Sequence, residues 1–174
     1  MAVRRLRTGW WYAVALAPGL VLGIVLAMCA VAAPSYAAGQ QWSGRFTVVT
    51  YASQKAGTST AAHQGEPDFS ALFTFATSCS SRCIATVVDG PAPSNPTIPQ
   101  PQRYLWDGAQ WAMTYEWQWE CYRGDGVPRV FSPAQSWVFY SPQPDGTLQG
   151  TWHTDILSGP CRGNVLMPVA AYPA

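Results

Sequence analysis

The chain has 174 residues, of which 48% are hydrophobic, 13% aromatic and only 11% charged, with a formal net charge of +1. Such a composition excludes a disordered, charge-rich chain and carries no basic stripe of the kind nucleic acid requires. Arg4, Arg5 and Arg7 account for three of the ten basic residues, so the sequence beyond them is slightly acidic, and its length suits one domain with a sizeable core.

Those three arginines precede an apolar run from Trp10 to Ala33, and the next charge is Arg45. A basic stretch, an apolar stretch and the small residues around Ser35 and Ala37 have the order of a secretory signal, with cleavage expected after Ala37. The run is also long enough to span a bilayer uncleaved, which would be the chain's one attachment to a membrane. Met28 before Cys29 stands where a lipoprotein signal wants a small residue. The expected organisation is therefore a signal peptide over 1–37 and one domain over 38–174, placed outside the cell or in its envelope.

The remainder alternates apolar and polar residues, and strands are expected over 42–51, 69–77, 84–89, 102–106, 109–122, 135–141, 147–157 and 164–171. Asp107-Gly108 predicts a two-residue hairpin, and Pro144-Asp145-Gly146 a second turn. The fold class is all-β: a single antiparallel meander of about eight strands, either an up-and-down barrel of the lipocalin or avidin kind or a β-sandwich. Closure would leave no exposed strand edge. Residues 53–68 form a small, polar connection expected to be mobile and placed to cover a barrel mouth. Residues 91–101 hold five prolines and predict a stiff strap without ladder hydrogen bonds.

Four cysteines remain beyond Cys29, and an even number in an exported chain reads as two disulfides with three possible pairings. Cys79 with Cys83 and Cys121 with Cys161 is the favoured set. The first pair can meet only across a turn, because on one extended strand they would stand about 13 Å apart. The spacing does not suit a zinc site.

The segment from Trp111 to Cys121 places Glu116, Gln118 and Glu120 on one strand face and Trp111, Met113, Tyr115, Trp117 and Trp119 on the other. Carboxyl groups four residues apart on a strand are about 13 Å apart, beyond the roughly 5–9.5 Å of a glycosidase pair. The aromatic face is first of all a core face, and Tyr115, Trp117 and Trp119, with Trp152, are also the candidate lining of a cavity for an apolar ligand. A hydrolase using Glu120, His153 and Asp155 is the enzymatic alternative, although no nucleophile elbow accompanies it. Arg123-Gly124-Asp125 has the composition of a turn, with adhesion as its functional alternative. No metal or phosphate motif is present, and no cofactor is expected.

The segments "YASQKAGTSTAA", "SCSSRCIATVVDGPAPSNPTIPQP", "YEWQWEC" and "PDGTLQGTWHTDILSGPCRGNVLMPV" resemble small conserved exported proteins of mycobacteria. That resemblance implies secretion or an envelope location and assigns no catalytic residue. The expectation is a non-enzymatic, monomeric β domain binding a small ligand, an envelope component or a protein partner.

Overall fold

The computed structural model describes residues 41–174; the signal peptide expected over 1–37 and its expected cleavage after Ala37 lie outside them. Eight strands follow in chain order: β1 Gly44–Thr50, β2 Phe69–Cys79, β3 Cys83–Asp89, β4 Arg103–Trp106, β5 Trp111–Cys121, β6 Val130–Pro142, β7 Leu148–Ile156 and β8 Gly163–Pro173. Each pairs antiparallel with the next, and β1 pairs with β8, so the meander closes into a barrel and the sandwich alternative falls. Both disulfides form as expected, Cys79–Cys83 across the β2–β3 turn and Cys121–Cys161 between the end of β5 and the β7–β8 loop.

Two strands run through prolines. Residues 130–134 were not expected to be strand, yet Pro133 pairs opposite Gln118 within β6. Its carbonyl accepts from Leu157 N–H at 2.9 Å, so its nitrogen faces the β7 side, one residue beyond the end of β7. The missing N–H therefore leaves the β5–β6 ladder whole. Pro168 in β8 repeats the device: its carbonyl accepts from Tyr51 N–H at 3.0 Å just past the end of β1.

The Asp107-Gly108 turn is longer than expected. The Asp107 carboxylate accepts from the backbone N–H groups of Ala109 and Gln110, both at 2.9 Å, and the first pair across the turn is Trp106 with Trp111. Capture of two N–H groups by one carboxylate stabilises a four-residue connection in place of the two-residue one. The same bonds hold the Asp107 carboxyl below its usual range.

The two barrel ends differ. At the end with the short turns, Trp42 lies just before β1 and inside the barrel, stacked on Phe75 with ring centres 4.1 Å apart and flanked by Tyr104 and Tyr140 at 4.9 Å each. Thr77 Oγ1 anchors its backbone, accepting from Trp42 N–H and donating to its carbonyl. Phe46, Trp111, Leu148 and Ala171 belong to this core cluster, which continues along the barrel through Met113, Tyr115 and Val138 to Ile98. At the opposite end a second cluster forms from Ala52, Ala61, Ala62, Ile156, Val165, Met167 and the Cys121–Cys161 pair.

The segment 53–68 contributes to that second cluster. Ala56 exchanges two backbone hydrogen bonds with Leu166 of β8, and Ser59 N–H donates to the Asn164 carbonyl. The fully buried Ser59 hydroxyl donates to the Cys161 carbonyl at 2.6 Å and accepts from Ala61 N–H. Gly57 at φ +147° allows this approach, since a Cβ there would stand 2.1 Å from the Asn164 carbonyl oxygen. A segment expected to be mobile is thus a docked cover.

Candidate functional site

The site begins with a gap in the sheet. β4 pairs with β5 only at Leu105–Ala112 and Trp106–Trp111, so the outer half of β5 has no ladder partner on that side. The proline-rich strap supplies one through side chains: Asn95 Nδ2 donates to the Gln118 carbonyl at 2.8 Å, and Gln118 N–H donates to Thr97 Oγ1 at 3.0 Å. Asn95 Oδ1 in turn accepts from the Thr97 backbone N–H, fixing the turn that lowers Ile98 into the barrel mouth, where it is buried.

Two cavities open beside Ile98. An inner one of about 300 Å³ runs under the strap between Val48, Ala71, Phe73, Val87, Met113 and Val138, and reaches the hydroxyl-bearing residues Tyr104, Tyr115 and Tyr140. An outer one of about 600 Å³ lies between Trp117, Trp119 and Met167 on one side and Lys55, Gln64 and Glu66 on the other. Phe69, Ser94, Ile98 and Trp152 belong to both linings. Both volumes are in the range of small-molecule sites.

All four aromatic residues expected from the sequence line this mouth. Tyr115 faces the inner cavity, Trp117 and Trp119 the outer one, and Trp152 both. Trp117 and Trp119 stand 5.4 Å apart, and Tyr115 stands 6.3 Å from Trp117. Trp117 is fixed by its indole N–H, which donates to Ser136 Oγ at 2.9 Å; Ser136 Oγ lies 2.7 Å from Thr154 Oγ1, and both hydroxyls belong to fully buried residues. Burial pushes the hydroxyls of Tyr104, Tyr115 and Tyr140 well above their usual pKa, so the inner wall carries no charge at neutral pH. Trp152 Nε1 lies near the Tyr115 hydroxyl without an aligned hydrogen bond, and Trp119 Nε1 is buried without an acceptor.

Sequence reasoning missed Lys55, the one lysine of the chain. Its side chain is 7% exposed and its ammonium donates to Glu66 at 2.6 Å on the rim of the outer cavity. A lone charged residue in a small polar loop gives no sequence signal; its meaning comes from the docking of 53–68. Ile98 and Phe69 were missed for a related reason, since a strap or strand end only becomes a wall once the barrel closes.

The hydrolase residues do not converge. His153 Nε2 and Asp155 Oδ1 are 2.7 Å apart, and His153 packs edge-on against Trp137. Glu120 pairs instead with Arg129 at 2.9 Å and lies opposite Phe131, whereas Asp155 lies opposite Gln135. Arg123-Gly124-Asp125 is a turn, closed by Val127 N–H to the Gly124 carbonyl and by the Tyr122 hydroxyl donating to Asp125.

A closed eight-stranded antiparallel barrel, packed with rings at one end and holding cavities toward the other, defines the architectural class. Residues 40–173 match the family model described as the PknI serine/threonine-protein kinase sensor domain, and the chain belongs to that family. The monomer form of the M. tuberculosis PknI sensor domain shares the fold with a TM-score of 0.54 and 17% sequence identity, over 76% of this chain and 86% of that one. Its dimer form gives a TM-score of 0.46 with 24% identity, over 62% and 73% of the respective chains. No curated protein matches the chain in sequence. The mycobacterial part of the resemblance agrees with these matches, which are to a kinase sensor domain and not to small exported proteins as a group.

Proposed function

We propose that this chain is a non-enzymatic sensing domain on the extracytoplasmic side of the membrane, and that its signal is a small molecule taken into the barrel mouth. The observation that carries this reading is the contrast between the two ends. Aromatic side chains pack closely on Trp42 at one end, yet toward the other end the same strands surround two cavities lined by Tyr115, Trp117, Trp119 and Trp152. An end required only for stability would collapse around such side chains, since interiors pack to near-crystal density. Two disulfides and the family assignment support an oxidising compartment, which accords with export through residues 1–37. A sensing domain can act as a monomer or through association; both forms of the M. tuberculosis domain have been solved.

The test is native mass spectrometry of protein purified from its own host, followed by tryptophan fluorescence during ligand extraction and re-addition. A co-purifying small molecule whose removal changes the emission, and whose effect disappears in Trp117→Phe, is the expected result. An empty barrel with unchanged emission across apolar and amphiphilic compounds would overturn the reading.

A further inference from the structure

Resting on the mouth as a binding site, we infer that its occupant is an amphiphile with an anionic head, whose apolar chain lies beneath the strap and whose head oxygen accepts from Lys55. The inner cavity is walled by Val48, Phe73, Val87, Met113 and Val138, a surface suited to a flexible hydrocarbon chain. Charged side chains line only the outer cavity, and there they are not equivalent. Among the described residues, Glu120 is committed to Arg129 and Glu66 to Lys55. Lys55 carries three N–H donors and uses one of them, on Glu66.

An ammonium on a side chain only 7% exposed that makes one bond has donors left for a further acceptor on the cavity side. The unmet groups are donors, so the complementary head presents oxygen acceptors. A cationic head would meet two carboxylates already paired and an ammonium of its own sign. Glu66 is half-exposed and can swing toward solvent, leaving Lys55 to the ligand.

The experiment is photolabelling of the full chain in a nonionic detergent with a long-chain diazirine fatty acid and with its matched amine, the labelled peptides being mapped by mass spectrometry. Near-UV circular dichroism reports the fold of each variant. The acid is expected to label the strap and β5, and the amine to label them about tenfold less, the factor for one charge-assisted hydrogen bond. Lys55→Met should lower labelling by the acid by a similar factor, Lys55→Arg should retain it, and Glu66→Gln should retain or raise it.

Equal labelling of these segments by acid and amine, untouched by Lys55→Met, overturns the anionic head while the mouth remains a binding site. Labelling of neither segment by either probe overturns both readings. Where Lys55→Met loses its near-UV signal, the other two variants decide: loss of labelling in Glu66→Gln overturns the inference, and its retention together with that of Lys55→Arg supports it.

Discussion

Ser136→Ala isolates the device that positions Trp117 in the mouth. The hydroxyl removed is fully buried, accepts the Trp117 indole N–H at 2.9 Å and shares a 2.7 Å hydrogen bond with Thr154. Its loss leaves the part-buried Trp117 donor and the buried Thr154 hydroxyl without this partner, each costing about 1–3 kcal/mol, against almost no change in packed volume. The expected destabilisation is about 3 kcal/mol, which for a barrel of this size lowers Tm by roughly 10 °C. Chemical denaturation at constant slope, with tryptophan emission as the probe, measures it.

The reasoning predicts non-additivity. When Trp117→Phe and Thr154→Val are already present, both partners are apolar and Ser136→Ala strands nothing, so its cost should fall below about 1 kcal/mol. An equal cost in both backgrounds would show that the Ser136 site is governed by packing and not by the hydrogen-bonded trio. The assignment of Trp117 as a fixed wall of the cavity would then lose its physical basis.

The two disulfides should contribute unequally. The 40-residue separation of Cys121 and Cys161 gives about 4 kcal/mol in the chain-entropy relation, and the four-residue separation of Cys79 and Cys83 about 2 kcal/mol, so urea midpoints of the paired alanine variants should rank in that order. Gly57→Ala would drive a Cβ into the Asn164 carbonyl and undock the 53–68 cover. Because Lys55 is the one lysine and its side chain is nearly buried, cleavage by a lysine-specific protease should be slow in the native chain and at least tenfold faster in that variant. The buried Tyr104 and Tyr140 have raised pKa values, so folding favours their protonated forms: their stabilisation is complete below the unfolded value of about 10 and declines as pH rises above it. Alkaline titration should therefore show some tyrosinate absorbance appearing cooperatively with unfolding, and Tyr140→Phe should shift that unfolding to higher pH. Full ionisation of all tyrosines in the folded chain would contradict the burial.

Much of the architecture was legible because strand alternation is a local property. The face bearing Tyr115, Trp117 and Trp119 follows from a period of two, and the same parity places Trp152 inward and His153 outward. A turn between Cys79 and Cys83 lets them meet, which favoured that pairing among the three, and the structure forms it together with Cys121–Cys161. What escaped was set by long-range geometry. Pro133 and Pro168 are acceptable in strands because a neighbouring strand stops beside each nitrogen, and strand ends are the least local feature of a barrel. Trp42 looked like the first residue of a strand but serves as an interior plug, held by Thr77 from the adjacent β2. The dock of 53–68 onto β8 depends on Gly57 and Asn164, more than a hundred residues apart.

Stability and recognition are segregated along the barrel axis by the lengths of the connections. Short turns join β2 to β3, β4 to β5 and β6 to β7 at one end, and there the aromatic rings pack on Trp42. The other end carries 53–68, the proline strap, the Tyr122–Arg129 turn and the β7–β8 loop, of which the last is tied by a disulfide and the first two by side-chain hydrogen bonds. A strap of proline cannot join a sheet, so it closes the β4–β5 gap without sealing it. It can rise from β5 by releasing the bonds of Asn95 and Thr97 to Gln118, with no strand pair broken. Under the proposed function, entry of a ligand would cost these two hydrogen bonds and the withdrawal of Ile98, with the ring cluster at the far end left intact.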